Sequence, residues 1–449
     1  MLSQEAEGPS GRYQGAVFGE FALSLYGAAG VVAAPAAGLL LRWRQRRGKE
    51  DGSRRGERFG ISVRSRPQGP LIWVHAASVG ETVAALPLIE RLQTRGLALL
   101  LTTGTVTAAQ IADDRLSKSV IHQFAPVDMP FAIRRFLDHW RPSLAIFVES
   151  ELWPTILNAL GRRSLPLAVV NARMSERSFR TWRSFPPLAR AVLGRAELVL
   201  AQSLTDAERF RDLGARRVTV CGNLKFDAPP PPADENEVAA IRASLGARPV
   251  WVAASTHPGE DDAVLAAHRN VARKGVPLLT VVAPRHPKRG DAIAEMVHAS
   301  GLSLARRSAG DPIAEDTEVC LADTIGEMGL WYRIADAALL GGSMVPHGGQ
   351  NPIEPAKLRV PILHGGHVSN FRDLYKALED AKAVCSVSDA ASLAATLTSL
   401  IDNASERERL AREAYACVER FTGALERTME ALEPLIEPLL RSHHTATGS

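Results

Sequence analysis

The chain has 449 residues, of which 46% are hydrophobic, and a formal charge of +4. It is long enough for two domains, too apolar to stay disordered, and too close to neutrality for charge alone to mark a nucleic-acid binder. Its four cysteines, Cys221, Cys320, Cys385 and Cys417, are too far apart for a disulfide scaffold or a paired-cysteine metal site, which points to a reducing compartment.

Residues 1–20 read as an N-terminal extension. Residues 21–41 carry no charge and, as one helix, would extend roughly 30 Å, about one hydrocarbon thickness. A membrane-anchor helix is the expectation. Spanning is favoured, and the many Ala and Gly residues and Pro35 leave an interfacial helix as the alternative. The basic juxtamembrane segment 42–70 follows, with Arg42, Arg44, Arg46, Arg47 and Lys49, then Arg54, Arg55 and Arg58. Positive charge after the apolar run is the reverse of a signal peptide and places the rest of the chain in the cytoplasm.

From Leu71 onward, short apolar runs alternate with helical patterns, as in βαβ units on a parallel sheet. Strands are expected at 71–75, 97–101, 144–148, 167–170, 198–200 and 218–220, with helices at 82–93 and 131–140 between them. These make a first Rossmann-like domain, 71–228. A tetraproline run, Pro229 to Pro232, opens a linker at 229–237. The alternation restarts in a second domain, 238–410, with strands at 250–254, 278–282, 319–321, 337–340 and 360–363. A helical segment broken at Gly423 and near Pro434 fills 411–449. The fold class is therefore α/β, two Rossmann-like domains facing a cleft.

The polar motifs fall where strands end, which is where open α/β sheets bind ligands. Glu81 follows Ser78-Val79-Gly80 and enters the first turn of a helix, either to complement the helix dipole or to act as a general base. Glu149 and Glu151 flank Ser150; strand alternation would send both to one side, to tune each other or to cap the helix opening at Trp153-Pro154. Lys225, in Asn223-Leu224-Lys225-Phe226-Asp227, reaches a substrate anion or pairs with Asp227 at the surface. Pro284-Arg285-His286-Pro287-Lys288-Arg289 is a candidate phosphate-binding turn or a solvated basic loop. Gly341-Gly342-Ser343 and His347-Gly348-Gly349-Gln350 lead into Asn351-Pro352-Ile353-Glu354, where free backbone N–H groups would hold an anion and Glu354 the ribose hydroxyls. Asp323 to Met328, with Gly326, Glu327 and Met328, would frame a base. Five loop histidines, His257, His286, His347, His364 and His367, form no metal motif, and Asp-x-Asp is absent from the chain.

Taken together, Val74 to Thr82, Glu149 to Pro154, Asn171-Ala172-Arg173-Met174-Ser175, Gly222 to Asp227, Pro284 to Pro287 and Gly348 to Glu354 resemble the Kdo transferases of lipid A assembly, Kdo being 3-deoxy-D-manno-oct-2-ulosonic acid. The resemblance runs from the apolar N-terminal segment to about Asp402. It implies a GT-B glycosyltransferase at the cytoplasmic face of an inner membrane, moving Kdo with inversion from CMP-Kdo to a tetraacylated lipid A precursor. It further implies Glu81 as the base, Glu149 and Lys225 as transition-state groups, and Pro284, Arg285, Gly326 to Met328 and Asn351 to Glu354 as contacts for CMP. No metal, separate cofactor or nucleic-acid partner is expected. The competing readings are a membrane-associated GT-B enzyme using a UDP-sugar and a non-catalytic nucleotide- or lipid-binding module.

Overall fold

The computed structural model describes residues 9–447; the first eight residues of the expected N-terminal extension and the last two of the expected C-terminal segment lie outside them. By internal contacts the described residues form two compact units, 9–228 with 422–447, and 229–421. The segment expected at 411–449 is thus divided near Gly423: a helix Ala404–Glu419 belongs to the second unit and a helix Ala424–Thr447 to the first. Pro434 and Pro438 lie within that last helix and do not end it.

The first unit is built on seven parallel strands, β1 (Leu71–Ala76), β2 (Ala98–Thr103), β3 (Ile121–Phe124), β4 (Leu144–Val148), β5 (Leu167–Ala172), β6 (Leu198–Ala201) and β7 (Val218–Val220), in the order β3-β2-β1-β4-β5-β6-β7. Chain direction away from β1 reverses between β1 and β4, which makes that junction the topological switch point. Both central strands are buried along their whole length, the pattern of a sheet covered on both faces. One face packs on Trp73, Phe136, Trp140 and Phe147, the other on Ile72, Val74, Leu88 and the last helix through Leu432 and Ile436.

The second unit repeats the plan with β8 (Val250–Thr256), β9 (Leu279–Pro284), β10 (Leu304–Arg306), β11 (Val319–Leu321), β12 (Ala337–Leu340), β13 (Ile362–His364) and β14 (Val384–Ser386), ordered β10-β11-β9-β8-β12-β13-β14. Its switch point lies between β8 and β12. Each sheet also buries a Trp of its first strand whose indole N–H donates to a Thr of the second: Trp73 to Thr102 (2.8 Å) and Trp251 to Thr280 (2.6 Å). The strands that the apolar runs did not announce, β3, β10 and β14, are all edge strands. Half-exposed His122 and Arg306 and exposed Ser386 interrupt their hydrophobic pattern.

The N-terminal segment departs from expectation. Two helices, Pro9–Val32 and Ala34–Arg46, replace the single helix over 21–41, and they meet at a 59° bend where Pro35 begins the second. No single described helix is long and apolar enough to cross a membrane, although this bent pair passes by length and composition. One face of the first helix is docked on its own unit. Leu23 is buried, a Cβ at Gly19 would lie 2.6 Å from Pro187 O, and Glu20 pairs with Arg195. The opposite side exposes Phe18, Phe21, Leu25 and Val32.

The basic segment is only partly a free charge strip. Arg44 and Arg58 share Glu50, and Arg54 pairs with Glu57. Glu57 accepts the Phe124 N–H (2.7 Å) and Arg54 donates to the His122 carbonyl (3.1 Å), so this segment covers the open edge of β3. The tetraproline run is likewise packed: Arg333 donates to Pro231 O (2.8 Å), and a Cβ at Gly329 would collide with Pro232 O.

Candidate active site

In the first unit the loops after β1, β4 and β7 bring Glu81, Glu149, Glu151 and Lys225 into one cluster. The helix Val79–Gln93 begins three residues earlier than its apolar pattern predicts, because the Ser78 side chain caps the Glu81 N–H. Glu81 turns back over its own N-terminus: Oε2 accepts the Ala77 N–H (2.7 Å) and Oε1 the Ser78 hydroxyl (2.7 Å). The carboxyl is 8% exposed. Burial pushes its pKa above the usual carboxylate value; the Ser78 and Ala77 hydrogen bonds oppose that, and the charges of Glu151 and Glu149 add to it.

Glu149 lies just past the end of β4 with φ +62°, a conformation few non-glycine residues adopt. Its N–H still donates to Val170 O (2.9 Å), so the sheet holds the turn. Strand alternation therefore fails at this point, and the two acids part. Glu149 accepts from Lys225 Nζ at 2.8 Å. Glu151 lies 3.7 Å from His75 Nε2 and accepts from the Trp153 indole. Burial alone would raise Glu151, yet the hydrogen bonds from His75 and Trp153 outweigh it and hold the carboxyl below its usual range. Neither acid caps the following helix. Asp128 does so, accepting from Thr155 N–H (3.1 Å) and Ile156 N–H (2.8 Å).

Lys225 is aimed by its short turn. Asn223 Oδ1 accepts the Lys225 N–H (3.0 Å), and Asn171 Oδ1, from a buried residue with φ +52°, accepts the Leu224 N–H (3.0 Å). The ammonium sits 3.8 Å from where a Cβ on Gly80 would be, at the start of the Glu81 helix. Asp227 is not its partner. That carboxylate caps the last helix instead, accepting from the Gly423 N–H (2.6 Å) and the Leu425 N–H.

In the second unit, Pro284, Arg285, Gly326, Glu327 and Met328 line one recess of about 110 Å³, together with Ser255 and Trp331. Arg285 is exposed and unpaired among the described residues, whereas Arg289 is committed to Thr256 O (2.8 Å) and Asp261. The Glu327 carboxylate is also committed: hydrogen bonds from Arg307 (2.6 Å) hold it below its usual range. Asn351 to Glu354 stand on the loop after β12, outside this recess. There Asn351 Oδ1 accepts the Ile353 N–H (3.0 Å) and its amide donates to Glu354 (3.3 Å).

The expectation of free N–H groups in the glycine-rich loop fails for Gly342, Ser343, Gly349 and Gln350. Glu260, fully buried, accepts from the N–H groups of His257 (2.8 Å), Gly342 (2.8 Å), Ser343 (3.1 Å) and Met344 (3.0 Å). Gly349 and Gln350 donate to the carbonyls of Gly342 and Gly341. The anion in this nest is the protein's own carboxylate. Glu260 went unnoticed in the sequence, although the Gly-Glu pair after the first strand of each unit, Gly80-Glu81 and Gly259-Glu260, is a legible signal. The His257 and His347 rings stack at 4.3 Å, with His286 at 6.4 Å from His257. Among the described residues no group of three or more His, Cys, Asp or Glu side chains is placed to hold a metal ion.

Comparison with known proteins shows what the chain is similar to. Residues 53–228 match a family model described as 3-deoxy-D-manno-octulosonic-acid transferase (kdotransferase). The chain is 35% identical to the 3-deoxy-D-manno-octulosonic acid transferase of Haemophilus influenzae over 83% of this chain and 88% of that one. It is 36% identical to the same-named protein of Bordetella pertussis over 88% and 96% respectively. Among solved structures, a glycosyltransferase from Rickettsia africae superposes with a TM-score of 0.55 at 10% identity, covering 82% of this chain and 99% of that one, a likeness of fold. The C-terminal CMP-Kdo binding domain of WaaA from Acinetobacter baumannii is 32% identical, covering 41% of this chain and 97% of that one, with a TM-score of 0.40. Two Rossmann-like units in one chain are the GT-B glycosyltransferase architecture.

Proposed function

The chain belongs to the 3-deoxy-D-manno-octulosonic acid transferase family, a family of glycosyltransferases, and from that premise we propose that it transfers Kdo with inversion from CMP-Kdo to a tetraacylated lipid A precursor. The observation that carries the mechanism is Glu81: a buried carboxyl with a raised pKa, held by two short hydrogen bonds at the switch point of the first sheet. Direct displacement needs one base to take the proton of the acceptor hydroxyl as its oxygen bonds to the anomeric carbon. A carboxylate whose pKa lies above its usual value is a better proton acceptor than an exposed one.

As the bond to CMP breaks, positive character develops on the sugar ring and negative charge on the departing phosphate. Glu149 is the carboxylate suited to the first and Lys225 the ammonium suited to the second, and their 2.8 Å ion pair keeps both in place before substrate arrives. Arg285, unpaired at the mouth of the recess with Pro284 and Gly326 to Met328, is the cation offered to the nucleotide, and Asn351 to Glu354 supply the ribose contacts. The N-terminal helices are read as an interfacial anchor on the cytoplasmic face of the inner membrane. One face is docked on the unit, and Phe18, Phe21, Leu25 and Val32 are left for the lipid.

The test incubates detergent-purified protein with freshly generated CMP-Kdo and the lipid A precursor, beside Glu81→Ala, and reads the lipid by mass spectrometry. The expected result is a Kdo mass increment in the wild type and a rate about 10²–10⁴-fold lower in the variant. A wild type that leaves the lipid unchanged while donor persists overturns the reading and directs the search to UDP-sugars.

A further inference from the structure

The second unit holds a recess of about 340 Å³ that none of the roles above uses, enclosed by the loop after β12 and the loop after β13. Its size lies within the range of small-molecule sites, roughly 300–1,000 Å³. Gly348, Gly366, His367, Ser369 and Arg372 line it, and no acidic side chain does. Arg372 is exposed and makes no ion pair among the described residues. The larger cavity of the first unit differs in this respect: there Asp51, Glu57 and Asp113 offset Arg54, Arg64 and Lys118.

The recess is preformed. Asn370 ties its two walls together, its amide donating to His347 O (3.0 Å) and Gly349 O (3.2 Å) and its N–H to Gly348 O (2.8 Å). The His367 N–H donates to Ser343 O (2.9 Å). Gly348, with φ +90°, is required here, because a Cβ would lie 2.7 Å from the Asn370 side chain. The same loop runs on through Gln350 into Asn351 to Glu354, so the recess adjoins the positions read as nucleotide contacts. The sugar of a nucleotide-sugar lies one bridging oxygen from the phosphate, and this sugar carries a carboxylate beside its anomeric carbon. Most N–H groups of the glycine-rich loop are already taken, by Glu260 and by carbonyls of the loop itself, and the Arg372 guanidinium is the fixed cation that lines the recess. Its planar fork matches the two oxygens of a carboxylate.

We propose that the recess between the loops of Gly348 and Gly366–Arg372 is the subsite for the acidic sugar of the donor, with Arg372 binding its carboxylate. This rests on the donor reading above. Gly366 provides an independent probe, since a Cβ built there meets no heavy atom within 4 Å: a side chain at 366 fills the recess without disturbing the fold.

Binding to the full chain in detergent, followed by saturation-transfer NMR and calorimetry, tests it with three probes: free Kdo, its methyl ester and CMP. The expected pattern is that the wild type binds Kdo at least ten-fold more tightly than the ester. Arg372→Gln and Gly366→Val should lose at least ten-fold for Kdo, Arg372→Lys should recover part of that loss, and CMP should bind all four proteins within two-fold. In turnover, Arg372→Gln should raise the KM for CMP-Kdo at least ten-fold with kcat little changed. Equal binding of acid and ester, or wild-type Kdo binding by Arg372→Gln and Gly366→Val, overturns the proposal. So does a loss confined to CMP, which would make the recess a phosphate site. The binding arm is separate from catalysis. This pattern without lipid transfer would sink the transfer reading alone, and transfer without this pattern would sink the subsite alone.

Discussion

Glu81 and Glu260 occupy the same place in two copies of one plan, the first turn after the first strand beside each sheet's switch point, and their surroundings give them opposite work. Glu260 is fully buried and accepts four backbone N–H groups, so both of its oxygens are spent on closing the glycine-rich loop. Glu81 accepts one N–H and one hydroxyl, has acids for neighbours, and keeps a raised pKa. A carboxylate saturated by donors is held as a structural anion; one that is desolvated and under-supplied has its pKa raised, as the proposed base requires. The same contrast separates the charged side chains of the two units. In the first, Lys225 and Glu149 restrain one another before any substrate arrives. In the second, Arg285 and Arg372 are exposed and make no ion pair among the described residues.

The comparison breaks most severely at Glu260. Glu260→Ala strands four N–H groups, two of them fully buried, and should destabilise the second unit by roughly 3–6 kcal/mol, read as a lower denaturant midpoint. Glu260→Gln should fare little better, because its NH₂ would face N–H donors. A variant as stable as the wild type would show that the carboxylate does not hold the loop.

Lys225→Met comes next. It leaves Glu149 without its counter-ion in a half-buried site and should cost roughly 1–3 kcal/mol of stability, along with a larger loss of transfer rate. Glu149→Gln in the same background should restore stability but not activity. Failure of the double variant to recover stability would argue against a direct pair.

The finest test is the isosteric Glu81→Gln. A carboxyl whose folded pKa is raised contributes stability that is complete below its unfolded value near 4.5 and is lost as pH rises through the folded value. The neutral variant should therefore match the wild-type Tm in acid and exceed it at neutral pH. Wild-type turnover should fall as pH drops through that same raised pKa, and Glu151→Gln should move this acid limb to lower pH. A Tm difference that is constant with pH would contradict the proposed environment of Glu81.

Much of the architecture was legible because central parallel strands are buried on both faces and so read as unbroken apolar runs: Leu144–Val148, Val319–Leu321 and Ala337–Leu340 were located to the residue. Of the edge strands, β7 was found through its two valines, whereas β3, β10 and β14 were not, since a half-exposed strand carries His, Arg or Ser in place of that run. The helix over 21–41 was misread as continuous because composition reports apolarity, whereas Pro35 and the docking of Gly19 and Leu23 set the bend and the direction.

Strand ends and their polar motifs follow from local pattern, so the sequence by itself determined the two-unit α/β plan and the neighbourhood of every candidate side chain. It could not determine pairing. Lys225 bonds Glu149, which is 76 positions away, in preference to Asp227 two residues on, and Glu260 reaches across 82 to 84 positions to take the N–H groups expected to be free. Those choices are made by φ +62° at Glu149, by the order of strands around each switch point, and by the need of buried donors for acceptors. They are long-range conditions, and only the folded chain satisfies them.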